Sequence, residues 1–495
     1  MSSTPIDAAF LSAFESGQRT LPVPTRLAIV VDGRSHDLDA LAVLRLLPGK
    51  RVVMRGIFRE RAVAIKLFVK SNSSARHIAR EQAGYEQVRA VGLQCPRLLA
   101  HFVSRCGRFE GLIYEFLVDA TDLAQCWPRF DPAQKRQWLR RLVDAMLQMH
   151  QRAGACQQDI HLGNFMFRDD QLYILDLGSI AIGSAPLPQP RCIDNLGQLI
   201  AQFDIGERSL LDDAVSHYFA QCGWAGNPAL LQDLQRAIEK AWRYRLRDYL
   251  GKSQRDCTLT RFEQRFDRVL AVRREWEGED LQRFVDDPDR FMANCELLKA
   301  GNTATVAKGL LNGRPVVIKR YNMKNWRHAI GRSLRRTRAE HSWRMAHLLE
   351  IMGFDSLRPV ALLEHKRGPL RGRAWFISTW LDAPDLLSVG AQRKLSDAEL
   401  LALNALLRQM VAARLSHGDF KANNLLLRDD HLAIIDLDSM RRHSSAEKFR
   451  RAFARDLKRL QRNWTDDSPV AEQIAATVAG ISADLPADTR AQPQS

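Results

Sequence analysis

The run D-F-K-A-N-N-L-L-L-R-D-D-H-L-A-I-I-D-L-D-S-M, Asp419 to Met440, has a counterpart 260 residues upstream, D-I-H-L-G-N-F-M-F-R-D-D-Q-L-Y-I-L-D-L-G-S-I, Asp159 to Ile180. The two align without a gap and share ten of 22 positions, among them Asp159/Asp419, Asn164/Asn424 and Asp176/Asp436. Each reads as a loop, a short apolar strand, an R-D-D turn and a second strand ending on an aspartate. A second repeat lies further upstream, V-M-R-G-I-F-R-E-R-A-V-A-I-K (Val53 to Lys66) against V-A-K-G-L-L-N-G-R-P-V-V-I-K (Val306 to Lys319). Both copies read as a hairpin whose second strand is buried and ends in lysine. Helical spacing of apolar residues follows over Gln134–His150 and Asp397–Arg414. The pattern predicts an α+β fold written twice, a strand-rich N-lobe before a helical C-lobe in each copy.

A chain of 495 residues exceeds what one hydrophobic core fills, which agrees with two domains. The expected division is a first domain over residues 25–250, a helical connection over 251–289, a second domain over 290–465 and a disordered tail over 466–495. A charged, amphipathic block from Pro228 to about Asp289, with A-W-R-Y-R-L-R-D-Y-L (Ala241 to Leu250) and R-F-E-Q-R-F-D-R-V-L-A-V-R-R-E-W (Arg261 to Trp276), closes the first domain and supplies the connection, read as solvated helices. The tail rests on its Ala, Asp, Pro and Gln content. An apolar content of 45% excludes a disordered chain, and no uncharged apolar run reaches bilayer-spanning length. Met1–Thr20 lacks a secretory pattern, and the eight cysteines form no C-x-x-C pair, so free thiols in a reducing cytoplasm are expected. The formal charge of +16 favours an anionic partner.

Each copy places an Asn five residues after an Asp and a second Asp 17 residues after the first. This set suits phosphoryl transfer: the first Asp can accept the proton of an attacking hydroxyl, while the Asn and second Asp offer hard oxygen ligands to magnesium. A lysine on an upstream strand can hold phosphates when a carboxylate fixes it. Glu81 for Lys66 and Glu340 for Lys319, each opening a helical pattern, are the candidates.

In order and spacing these motifs resemble the protein-kinase-like superfamily and, within it, the bacterial lipopolysaccharide core kinases that phosphorylate heptose or Kdo sugars. The resemblance implies two tandem bilobal kinase-like domains that use ATP and Mg2+. It implies Asp419 as catalytic base, Asn424 and Asp436 as metal ligands, Lys319 as the phosphate-binding lysine, Glu340 as its partner and Lys421 as a contact to the γ-phosphate. Gly301, in L-K-A-G-N-T-A-T-V, would let backbone close over the phosphates. The corresponding first-copy residues are Lys66, Glu81, Asp159, Asn164 and Asp176. Gln157 there replaces the loop histidine His417, His161 stands at the place of Lys421, and Gly49 to Val53 is one residue shorter than Gly301 to Val306. In the second copy D-L-D (Asp436 to Asp438) departs from the family's D-F-G or D-L-G, leaving Asp438 as a further metal-site or structural carboxylate.

The acceptor implied by the resemblance is a sugar hydroxyl of lipopolysaccharide core or another phosphorylated glycolipid, met at the inner-membrane surface by a cytoplasmic enzyme. The basic stretch Lys324–Arg338 is expected to dock it, with Arg332, Arg335 and Arg336 in contact. Nucleic acid is disfavoured, because stacking aromatics are not interleaved with the basic residues. The alternatives are a kinase for protein or another small molecule, weakened by the lack of A-P-E after Asp436, and a non-catalytic scaffold.

Overall fold

The computed structural model describes residues 8–322, 336–368, 370–428, 431–483 and 485. They divide into two compact units, Met1–Phe203 with Ser209–Trp242, and Asp204–Arg208 with Arg243–Ser495.

In the first unit six strands close into an antiparallel barrel: β1 (Thr25–Val31), β2 (Arg34–Leu47), β3 (Arg51–Phe58), β4 (Arg61–Val69), β5 (Leu98–Ser104) and β6 (Phe109–Glu115), in the order β1-β2-β3-β4-β6-β5. Register is set locally by two-residue turns. Asp32 and Gly33, at φ 49° and 76°, join Val31 to Arg34, and Arg59 and Glu60, at φ 49° and 62°, join Phe58 to Arg61. The barrel is filled by Leu27, Ile29, Val52, Ile65 and Ile113 and plugged by Phe10 and Phe14 of α1 (Ala8–Glu15). The unit therefore begins before residue 25. Helix α2 (Asn72–Ala90) follows β4, capped by Ser71, and buries Ser74, Ile78, Glu81, Gly84 and Val88 along one face. The helical lobe centres on Pro132–Gln148, whose Trp138, Leu139, Leu142, Val143 and Met146 face the core. At its end, buried His150 meets Tyr218 Oη at 2.6 Å and Asn195 Oδ1 at 3.0 Å.

The second unit is built on a seven-stranded antiparallel sheet, ordered Thr260–Gln264, Arg268–Arg273, Pro359–Arg367, Leu370–Thr379, Arg314–Tyr321, Ala304–Leu311 and Glu296–Ala300. The lysine hairpin turns at Asn312-Gly313, with φ 51° and 71°. Two expectations are corrected here. The stretch 251–289 is not only helical: Arg268–Val272 pairs with His365–Ala361, and Leu270, Val272, Trp276, Leu281 and Phe284 join Val316, Ile318, Leu363 and Trp375 in one core. Phe262 and Phe266 mimic a helical repeat, but the chain reverses at Arg265, whose N–H meets Arg268 O at 2.8 Å. The tail is also ordered over Ala471–Ala483, a helix burying Ile474, Val478 and Ile481. Their spacing of four and three makes one apolar stripe within an otherwise small and polar composition. Among the described residues no helix is long and apolar enough to cross a membrane. Of the basic stretch Lys324–Arg338, residues 324–335 lie outside the described residues.

Candidate active site

In the first unit the backbone itself brings the charged residues together. Gly84 lies so close to the Leu177 carbonyl that a Cβ there would stand 2.1 Å from its oxygen, so α2 packs directly on the D-L-G turn. This seats Glu81 over Gly178, where a Cβ would come within 3.0 Å of the Glu81 carboxylate. Lys66, on β4, then reaches Glu81 Oε1 at 2.5 Å and Asp176 Oδ1 at 3.7 Å, and Tyr114 donates to Glu81 Oε2 at 3.0 Å. Asp176 sits at φ 51° and accepts from Ser179 Oγ at 2.7 Å. Burial pushes its carboxyl up, but Lys66 and Ser179 outweigh that and hold it below its ordinary value. A cavity of about 190 Å³ opens beside Lys66, Glu81 and Asp176, walled by Leu44, Val53, Ala64, Phe116, Leu117 and Met166. Apolar walls with a charged end suit a flat aromatic ring carrying an anionic tail.

The second unit reaches the same lysine environment differently. Lys319 Nζ lies 2.7 Å from Asp436 Oδ1 and 2.8 Å from Asp438 Oδ2, and Glu340 is not its partner. Glu340 stands in the first helical turn after the cap Thr337, which accepts its N–H at 3.0 Å, and its carboxylate pairs with Arg371 and Gln254. The matching bonds Ile174 N–H to Gln94 O and Ile434 N–H to Asp355 O fix the equivalence of the helices. Counting back along each, Ser342 occupies the place of Glu81. The carboxylate has moved from the helix to the turn, where Asp438 replaces Gly178. Ser342 Oγ and Tyr321 Oη hold Asp438 Oδ1 at 2.9 and 2.6 Å. Burial alone would lower the Lys319 ammonium, but Asp438 and Asp436 raise it, so the site favours a charged lysine. Asp436 is held low by Lys319 against the effect of its burial.

The loops carrying the candidate bases match closely. Asn164 Nδ2 donates to Asp159 O at 2.8 Å and accepts Leu175 N–H at 2.8 Å through its backbone carbonyl; Asn424 Nδ2 donates to Asp419 O at 2.9 Å and its carbonyl accepts Ile435 N–H at 3.0 Å. Each side-chain amide is thus oriented with Oδ1 left as an oxygen donor beside the second aspartate, a fit to a hard divalent cation. His417, whose burial lowers its pKa, meets Ile435 O at 3.0 Å through Nε2. Gln157 supplies the equivalent link to Leu175 O at 3.2 Å, but its Oε1 is buried without a donor, whereas His417 Nδ1 accepts the Asp419 N–H at 3.3 Å. Asp456 accepts the backbone N–H groups of His417 and Gly418 at 2.6 and 2.9 Å, a support for the loop that sequence reasoning missed. Gly301 closes a tight turn, its N–H on Ala304 O at 3.1 Å, where a Cβ would stand 2.9 Å from that oxygen.

The two bases differ in their surroundings. Asp159 is exposed and has no ion pair among the described residues. Asp419 lies between Lys421 Nζ, 3.4 Å from Oδ2, and Arg459 Nη2, 2.8 Å from Oδ1. The Arg459 contact is close but out of line for a hydrogen bond, so Oδ1 is buried without a donor.

A strand-borne lysine fixed by carboxylates, with a loop carrying an Asp and an Asn and a second Asp after a hairpin, is an arrangement chemically suited to phosphoryl transfer. Residues 296–480 match the sequence model of the lipopolysaccharide kinase (Kdo/WaaP) family. Over this segment the chain is similar to that family, and the enzyme class the match supports is that of a kinase. The search of curated proteins finds no match.

Proposed function

We propose that the chain is an ATP-dependent kinase that phosphorylates a sugar hydroxyl of lipopolysaccharide inner core, built as two tandem kinase-like domains, with the second unit as the principal catalyst. The observation that carries the reading is the convergence of Lys319, Asp436 and the Asp419–Asn424 loop within the segment that matches the family. Lys319 orients the nucleotide phosphates. The acceptor hydroxyl oxygen attacks the γ-phosphorus, its proton passes to Asp419, and the bond to ADP breaks, with Lys421 placed to offset charge on the transferring group. Magnesium held by Asn424 and Asp436 would supply positive charge against the nucleotide phosphates. The first unit's Lys66–Glu81 pair and its apolar cavity support nucleotide binding there as well. The net charge of +16 supports work at the anionic cytoplasmic face of the inner membrane.

The test is phosphate transfer from Mg-ATP to de-O-acylated core oligosaccharide by the purified full chain. One phosphate per oligosaccharide is expected, with Asp419→Asn slower by about 10²-fold or more. ATP turnover without transfer to any core fraction would remove the lipopolysaccharide assignment.

A further inference from the structure

Beside Asp419 the second unit opens a depression lined by Lys421, Arg455, Lys458, Arg459, Arg462 and Asn463. Four of these cations come from the helix Ala446–Gln461 and the residue that caps it, spaced so that they share one face. All four are exposed, and among the described residues Arg455, Lys458 and Arg462 form no direct ion pair, Arg455 only feeling the charge of the adjacent Asp456. The one acid held within the cluster is Asp419 itself, through Arg459 and Lys421.

Cations near a helix C-terminus can serve simply to offset the helix dipole. The first unit supplies the control. Its equivalent helix, Gln189–Ile200, carries Asp194, Gly197, Gln198 and Ala201 at the four matching positions and no basic residue in its last turn. There the face is covered at Gly197, where a Cβ would stand 2.7 Å from the Ala237 Cβ of the helix Pro228–Lys252, and the exposed Asp194 is approached by Lys240 at 3.5 Å. The same fold therefore needs neither the charges nor the opening, and the second unit has both.

We propose that this depression is an acceptor subsite for a phosphate group already borne by the sugar, and that its occupation draws Arg459 off Asp419 so that the base is released only when an anionic acceptor is bound. A phosphate matches several guanidinium forks and a lysine better than a neutral sugar does. The inference rests on the kinase reading of Asp419. It differs from the expectation that Lys324–Arg338 docks the acceptor, and it places recognition within a few ångströms of the base.

The experiment uses the full chain and the triple variant Arg455→Gln/Lys458→Gln/Arg462→Gln, whose exposed positions leave folding intact, as a thermal melt checks. Binding of inorganic phosphate is measured by calorimetry with the nucleotide site saturated by a non-hydrolysable ATP analogue. At least tenfold weaker binding by the variant is expected, and equal binding overturns the subsite. In a second arm, KM is compared for core oligosaccharide before and after phosphatase treatment. A rise in KM of at least tenfold confined to the phosphorylated acceptor, with KM for ATP unmoved, is expected. An equal rise for both acceptors, or loss of phosphate binding with no change in either KM, overturns the assignment to acceptor-borne phosphate, the latter pointing to free phosphate. If wild type transfers phosphate to no acceptor, the kinase reading fails while the calorimetry still decides whether the depression binds phosphate.

Discussion

Lys319 and Asp438 are joined at 2.8 Å across a turn where the first unit has Gly178, and the helix position that supplies Glu81 to Lys66 supplies Ser342 instead. A glycine–glutamate pair has been exchanged for an aspartate–serine pair around the same ammonium. Asp438→Ala should remove one of two partners of a lysine that is only 17% exposed and, by letting its ammonium stray from the phosphates, lower kcat/KM by about 10²-fold. The double variant Ser342→Glu/Asp438→Gly rebuilds the first unit's arrangement and should recover at least tenfold of that loss. No recovery, with the fold intact by circular dichroism, would mean that Asp438 acts on something other than Lys319.

The mirror experiment belongs to the first unit. Gly178→Ala places a Cβ 3.0 Å from the Glu81 carboxylate, and the neighbour that must yield is the one holding Lys66. With Lys319→Ala silencing the second site, nucleotide affinity should fall about tenfold, a loss of about 1.4 kcal/mol. Unchanged affinity would show that nucleotide binding in that unit does not depend on the Lys66–Glu81 pair.

Much of the candidate site was legible because Lys, Asp, Asn and Asp sit in gap-free repeats whose local turns carry their own geometry. The partner of Lys319 was not, because a carboxylate two residues away on a helix points in another direction. Glu340, three after Thr337, carries a helix-start signature that explains its position without any role at the lysine. Arg459 and Asp456 lie on a helix far along the chain from the loop they touch, so only tertiary packing reveals them. The strands over Thr260–Arg273 were hidden by Phe262 and Phe266 at helical spacing, although Val269 and Val272 favour strand.

The ordered C-terminal helix makes a stability prediction. Ile474 is 1% exposed, and Ile474→Ala should destabilise the second unit by about 2–4 kcal/mol through lost burial and the cavity left behind. The melting temperature should drop by several degrees, whereas a disordered segment would leave it unmoved.

Acid should weaken the second unit through His347. It is fully buried between Trp343 and Tyr249, neither ring nitrogen has a hydrogen-bond partner, and burial with the nearby Arg273 lowers its pKa to about 3; Glu350 lies 3.7 Å away. Below pH 6.5 the unfolded chain binds a proton that the folded one refuses, so stability falls as pH drops from about 6.5 towards 3, by on the order of 4 kcal/mol at the end of that range. His347→Phe should flatten the melting temperature over this range. An unchanged slope would place the acid sensitivity elsewhere.

The central claim is that the second unit phosphorylates lipopolysaccharide core through Asp419. Its most direct test is the phosphate content, by mass spectrometry, of core oligosaccharide from cells lacking the gene and complemented with wild type, Asp159→Asn or Asp419→Asn. One phosphate should be lost on deletion, restored by wild type, restored in greater part by Asp159→Asn and not restored by Asp419→Asn. A core that is unchanged on deletion, or restored by Asp419→Asn and not by Asp159→Asn, would contradict it.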